Sequence, residues 1–288
     1  MSQGSTEAAD EYRARSAQNW EEAAGSWEQK REYTRKTFHP LTEWLRAQVM
    51  LAPGKHVLEL AAGPGDTAIE LAPSIVPGGR YLATDRAGGM VAAATRSATA
   101  AGLSDVIESR VVDAEAIDLA DKTFDAVVCR FGLMLIPDQA AVLSETRRVL
   151  KAGGLCGFVV WGDEDRNPWA TRLWGVLERL VDIPASPPGS PGMFSLADRT
   201  HLSRLIAGAG LTETAMEAID IEFEYSSFDQ YWETNSALAG GLARLLPTLT
   251  QAKRDHLIDS VRDAMADFRL ADGRYRVTGQ ALCVAAAG

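Results

Sequence analysis

The stretch from His56 to Thr67, HVLELAAGPGDT, constrains the fold more than any other part of the chain. Val57, Leu58 and Leu60 form an apolar run that reads as a buried strand, because strands covered on both faces need not alternate. The run passes into Ala61-Ala62-Gly63-Pro64-Gly65, small residues that let the backbone turn tightly and approach a ligand closely. Asp66 or Thr67 is then expected to cap a following helix. Strand, glycine turn and helix N-terminus together make a place where backbone N–H groups face an anionic ligand group.

Beyond this stretch the pattern alternates between strand and helix. Strands are expected at Arg80–Thr84, Val106–Val112, Phe124–Cys129 and Leu155–Trp161, with helices at Thr67–Ala72, Gly88–Ala101 and Gln139–Leu150. Repeated β-α order implies a parallel sheet with helices on both faces. Later segments read as helices at Trp169–Val181 and Leu196–Ala209, a strand at Thr214–Tyr225, mostly helix over Tyr231–Phe268 and a final strand at Tyr275–Ala286. Pro184–Gly192 is a Pro/Gly-rich loop. The last strand is expected to insert antiparallel at the sheet edge. The fold class is therefore α/β: a Rossmann-like, seven-stranded, mostly parallel sheet with an antiparallel last strand. Residues 1–10 are expected to be disordered. Residues 11–51 are expected to form a helical cap, broken at Gly25 and restarted at Pro40. Residues 52–288 form the main domain, with a helical lid at about 226–270.

The formal net charge of -10 argues against nucleic-acid binding, which rests on Lys and Arg. No apolar run is long enough to span a membrane. MSQGSTEAADEYRARSAQNW lacks the hydrophobic core of a secretory signal, so the expectation is a cytoplasmic protein. Cys129, Cys156 and Cys283 show no metal-like spacing; they are expected to be buried free thiols, and no metal is expected.

Three expected strand ends carry acids or small residues: Glu59 with its glycine turn, Asp85, and Asp113-Ala114-Glu115. In open parallel sheets, ligands bind outside the carboxyl ends of the strands. Asp85 lies 20 positions after Gly65, the spacing at which an acid accepts from ribose hydroxyls in dinucleotide folds. Asp113 is placed to accept from an adenine amino group, and Met90 to pack on the ring through its sulfur. A GxG is weak evidence by itself, and Gly63-x-Gly65-x-x-Ala68 also fits a nicotinamide-type turn.

The segments VLELAAGPGD, YLATDRAGGM, VVDAEAIDLADKTFDAVVCRFGLMLIPD and ETRRVLKAGGLCGFVVW resemble, in order, the motifs of class I S-adenosylmethionine-dependent methyltransferases. The branch they resemble most includes ubiquinone/menaquinone C-methyltransferases and many small-molecule methyltransferases. The resemblance covers roughly residues 55–162. It implies S-adenosylmethionine as cofactor. Glu59, Ala61, Gly63 and Gly65 would lie at its methionine and ribose part, and Asp85 at the ribose hydroxyls. Arg86 and Met90 would flank the adenine, Asp113, Ala114 and Glu115 would meet its edge, and Arg130 would line the methionine end. Ala61 stands where the family often has glycine, which is tolerable if that backbone does not need positive φ.

A small, aromatic or apolar acceptor fits the candidate lining residues Trp27, Tyr33, Phe131, Met134 and Trp161, with Trp169 and Phe194. His39 and Tyr33 are the candidates for a general base, needed only for a poorly acidic acceptor. Cys129-Arg130-Phe131-Gly132 is not the motif of enzymes that methylate adenine or glutamine nitrogens. A fold of this kind that binds the cofactor without methyl transfer, as a pericyclase or a binding module, is the alternative. A nicotinamide oxidoreductase is a further one, against which the lack of Tyr-x-x-x-Lys counts.

Overall fold

The computed structural model describes residues 3–181 and 190–288. The Pro/Gly-rich stretch is outside the described residues up to position 189.

The chain opens with one helix, α1 (Gln3–Gln48), and then alternates: β1 (His56–Glu59), α2 (Asp66–Leu71), β2 (Arg80–Asp85), α3 (Gly88–Ala100), β3 (Ile107–Val111) and β4 (Phe124–Arg130). It continues through α4 (Gln139–Val149), β5 (Leu150–Trp161), α5 (Pro168–Leu180), α6 (Arg199–Gly208) and β6 (Thr212–Tyr225). It ends with α7 (Phe228–Leu238), α8 (Gly240–Leu245), α9 (Gln251–Ala264) and β7 (Tyr275–Ala287). The seven strands form one sheet in the order β3-β2-β1-β4-β5-β7-β6. Strands β1 to β5 pair in parallel, and β7 runs antiparallel to both its neighbours, β5 and β6. This is the α/β sheet with an antiparallel last strand expected from the sequence, but the expected edge position is corrected: β7 lies inside the sheet, hydrogen-bonded on both sides, and β6 forms the edge.

The central strands are apolar throughout because both their faces are covered. Val57, Leu58, Val127, Val128, Phe158, Val159 and Val160 are fully buried. Helix starts downstream use side-chain caps: Asp138 accepts from the Ala141 N–H before α4, and Asp198 accepts from the Thr200 and His201 N–H groups before α6. At α2 the expected cap is corrected. The N-cap is Gly65, with φ +87° and no side-chain cap bond, and Asp66 is already helical. An added Cβ at Gly65 would meet Ala94 on α3 at 3.1 Å, so the glycine serves the turn and the helix contact together.

The N-terminal region departs most from expectation. Gly25 and Pro40 do not divide it; α1 runs unbroken for 46 residues, about 70 Å at the rise of an α-helix. It includes residues 3–10, expected to be disordered. There Asp10 pairs with Arg13, which reaches across to Glu115, and helix extends readily from a turn already fixed by such contacts. Tertiary packing overrides the weak propensities at Gly25 and Pro40. Phe38, Leu41, Trp44 and Leu45 on its C-terminal half belong to the main hydrophobic core. At Gly157 of β5 an added Cβ would lie 2.7 Å from Leu45 Cδ2, which is how closely the helix sits on the sheet. On the other half, Ala23 and Ala24, flanked by Trp20 and Trp27, pack on Ala87 and Met90 in a separate small cluster.

The region 226–270, expected to be a lid, has two attachments. Helices α7 and α8 abut α1, through Trp27 Nε1 donating to the Leu238 carbonyl at 3.1 Å and through the ion pair of Lys30 with Glu233. Helix α9 packs on α5 instead.

Leu45 has no exposed surface, so Leu45→Ala is expected to destabilise the chain by about 2–5 kcal/mol, the range for large-to-small changes in well-packed cores. Urea unfolding should show a lower midpoint with an unchanged slope.

Candidate ligand cleft at the strand ends

A cleft of about 1120 Å³, including its open mouth, lies across the carboxyl ends of β1 to β4. Its floor is the turn after β1. The Ala62 N–H donates to the Thr84 carbonyl and the Leu60 N–H to the Val128 carbonyl, both at 2.9 Å, so the turn is tied to the strands on either side. Ala61 does take positive φ, +50°, as does Phe131 at +62°. The condition under which alanine would be harmless there is therefore not met, and the turn carries some backbone strain. The turn after β1 meets the segment after β4 closely: at Gly132, which follows Phe131, an added Cβ would be 2.4 Å from Ala61 Cβ. Gly63, also at positive φ, faces open space, with nothing within 4 Å of where a Cβ would be.

Asp85, at the end of β2, is held by backbone donors. Gly63 N–H donates to Oδ2 at 3.0 Å and Ala87 N–H to Oδ1 at 2.9 Å. Burial pushes its carboxyl above the usual range, while the Ala87, Gly63 and Arg86 N–H groups oppose this. Each oxygen retains acceptor capacity for a ligand hydroxyl. Beside it, Arg86 Nη2 is 3.9 Å from Asp113 Oδ2, and Asp113 Oδ1 accepts from the Glu115 N–H at 3.0 Å. Glu115 is committed elsewhere. It takes a bidentate bond from Arg13 at 2.8 and 2.9 Å and a third from the Asp138 N–H. Burial raises its carboxyl, but these donors outweigh that and hold it below the usual range.

On the β4 side of β1 the cleft is lined by Glu59, Asp66, Thr67, Arg130 and Phe131. Glu59 is wholly enclosed and accepts from Tyr81 Oη at 2.9 Å. Burial pushes its carboxyl up to about 7, against the opposing pull of Tyr81 and Arg130. Arg130 donates to Thr42 Oγ1 at 2.8 Å and lies over the Phe38 ring, 5.4 Å from its centre.

Of the residues expected at a ligand, Trp27, Glu59, Ala61, Gly63, Asp85, Arg86, Met90, Asp113, Ala114, Glu115, Arg130 and Phe131 line this cleft. Gly65 lies behind it, against α3. Tyr33, Met134 and Trp161 are outside the lining, in the packing that backs it. Trp161 stacks on Phe131 at 4.1 Å and also touches Phe38, Trp169 and Phe223. Tyr33 stacks on Tyr225 at 5.5 Å, and burial drives its hydroxyl far above the usual range, which is unfavourable for a base. Phe194 is packed against the main core. His39 stands at the surface, 2.6 Å from Glu70 Oε2. With Glu43 these two bring possible metal-ligating atoms within 4.8 Å of one another, but Glu43 also pairs with Arg46.

Sequence reasoning missed the cover. Arg13, Ser16, Ala17 and Trp20 of α1 line the cleft opposite the strand ends. Glu21 Oε2 accepts from the Gly89 N–H at 2.8 Å, tying α1 to the start of α3. No lining residue comes from 226–270 among the described residues. All three cysteines are buried free thiols.

The comparisons agree with this geometry. Residues 57–154 match a family model described as a methyltransferase domain. A demethylmenaquinone methyltransferase of Lactiplantibacillus plantarum is 37% identical over 107 residues, 37% of this chain and 45% of that protein. The chain spans about half the length of the curated relatives it matches. Among solved structures, the YcgJ protein of Bacillus subtilis aligns with a TM-score of 0.59 at 18% identity, covering 86% of this chain and 98% of that one. The [4+2]-cyclase SpnF aligns at 0.53 and 20% identity, covering 86% and 79%. These likenesses establish the fold. No helix among the described residues is long and apolar enough to cross a membrane.

Unfolding returns Glu59 to the ordinary carboxylate range, near ~4.3. Between there and about 7 the folded chain binds more protons than the unfolded one, so this group's contribution to stability falls as pH rises. Relative to Glu59→Gln, the wild-type chain should lose stability between about pH 5 and about pH 7.5 in urea titrations. Parallel pH dependence in the two proteins would remove Glu59 as the titrating group.

Proposed function

We propose that this chain, which carries a methyltransferase domain over residues 57–154, binds S-adenosylmethionine in the strand-end cleft and transfers its methyl group to a small apolar or aromatic acceptor. The observation that carries the reading is the convergence of Glu59, Gly63, Asp85 and Asp113-Ala114, from successive strand ends, on one cleft. The residues present fit the cofactor. The open space at Gly63 is a cradle that any Cβ would fill, and Asp85 beside it is preset by two backbone donors to accept from a diol. Asp113 and Ala114, with Arg86 and Met90, supply a polar edge and a soft apolar face for the purine. Trp20 and Trp27 close that side from above.

The cofactor, when bound, supplies an electrophilic methyl on a sulfonium whose positive charge is lost on transfer. The protein's part is orientation and exclusion of water. Phe38 and Phe131 line the cleft beside Arg130 and give that charged end an apolar wall. Proximity and alignment can alone supply effective molarities of ~10⁵ M or more, so an acidic or already nucleophilic acceptor needs no base from the protein. His39 and Tyr33 stand outside the cleft lining, which favours such an acceptor. The relatives' names bring in quinone-type rings, which in their reduced hydroquinone form are such acceptors: the ring carbon attacks the methyl and then gives up its proton. A free small molecule is the acceptor we favour, and the acidic charge disfavours nucleic acid.

Calorimetric titration with S-adenosylhomocysteine tests the cofactor. Wild-type chain should bind it, and Asp85→Ala should weaken binding at least tenfold while far-UV circular dichroism is unchanged, because two charge-assisted acceptor positions are lost. Absence of binding to the wild-type chain, or tighter binding of NAD, would overturn the reading. Binding without release of S-adenosylhomocysteine from S-adenosylmethionine in any acceptor screen would leave the cofactor and remove the transfer.

A further inference from the structure

Asp66 is the first residue of α2 and lines the cleft, yet it is only 3% exposed. Its two oxygens differ. Oδ2 accepts from Thr34 Oγ1 at 2.7 Å. Oδ1 is buried and has no hydrogen-bond partner; the nearest cation, Arg31, places its Nε 3.7 Å away, beyond hydrogen-bond reach. An unsatisfied carboxylate oxygen in a buried position is costly, and folded chains retain few of them. The residue is not spent on capping α2, since no side-chain cap bond is made there.

The position of Asp66 specifies the chemistry of its missing partner. In the sheet, β1 lies between β2 and β4. The β2 side of the cleft holds Asp85 and Asp113, suited to neutral hydroxyl and amino donors. On the β4 side, Glu59 and Asp66 stand near Arg130, whose charge acts on both carboxyls. Two enclosed acids and one arginine at one end of a cleft suit a zwitterion: the acids match an ammonium and the arginine a carboxylate. Thr34 and Arg31 come from α1, so the far half of the chain's first helix sets the orientation of the acid.

We propose that Asp66 Oδ1 accepts a hydrogen bond from an ammonium group of the ligand, which, on the methyltransferase reading, is the α-ammonium of the cofactor's amino-acid tail. Asp66 is then a cofactor-binding residue that discriminates amino-acid sulfonium ligands from nucleosides lacking the amine. Burial raises its carboxyl, and a bound ammonium supplies the charge that favours the ionised form.

The test compares S-adenosylhomocysteine with its desamino analogue, which keeps the carboxylate and lacks only the ammonium. Both are titrated calorimetrically into the full chain and into Asp66→Asn. The wild-type chain should bind S-adenosylhomocysteine at least tenfold more tightly than the analogue, and Asp66→Asn should bind the two alike. Asp66→Ser is read in the same way if Asp66→Asn does not fold. Equal binding of both ligands by the wild-type chain overturns the assignment, as does discrimination that survives in the variant. Binding of neither ligand by the wild-type chain removes the cofactor reading itself, and the role of Asp66 with it. A merely structural role for Asp66 would lower both affinities together and keep their ratio, which also overturns it.

Discussion

The hydrogen bond from Gly63 N–H to Asp85 Oδ2 ties the turn after β1 to the last residue of β2, one step beyond the bond from Ala62 N–H to the Thr84 carbonyl. It requires Gly63 at positive φ, which only a residue without a side chain adopts freely. It requires β1 and β2 to be parallel neighbours in the register that pairs Glu59 with Ala83. It also fixes the carboxylate through one of its two oxygens, while Ala87 holds the other from the start of α3. Sheet order, glycine turn and the start of α3 therefore meet at one side chain, and the cleft takes its shape from that meeting.

The opposite end of the cleft is governed by desolvation. Glu59, Asp66 and Tyr81 are enclosed together, and burial raises the ionisable group of each. Arg130 partly offsets this by its charge, and is itself held by Thr42 on α1 and by the face of Phe38. Behind Phe131 the aromatic rings of Trp161, Trp169 and Phe223 pack in sequence, stacked at both ends and tilted between the two tryptophans, forming an apolar wall. The polar end of the site is thus set in a dry surround, where each hydrogen bond carries more weight than it would in water.

The alternating core was legible because strands and helices of the sheet announce themselves locally: apolar runs, glycine turns and acids at the strand ends. The same signals located Glu59, Gly63, Asp85 and Asp113. What the sequence does not display is pairing over distance. Arg13 meets Glu115 across 102 positions, and Glu21 meets Gly89 across 68, with no local pattern marking either. Gly25 and Pro40 looked like breaks because their propensities are poor, and packing outweighed them. Aromatic residues signalled burial at Tyr33 and Trp161, but burial alone does not say whether a ring faces a cavity or fills the wall behind it. Ala61 was harder still, since nothing in an alanine announces a left-handed backbone.

Helix α1 has one further consequence. It is a single rod whose lower half is embedded among the apolar side chains of the sheet and whose upper half roofs the cleft. The roof therefore has no hinge of the usual loop type. Arg13, Glu21 and Glu28 fasten that upper half to Glu115, to the Gly89 N–H and to Arg96, so the roof is held by discrete side-chain pairs where the lower half is held by core packing. The matched family region, 57–154, contributes the floor, while the roof comes from a segment outside it.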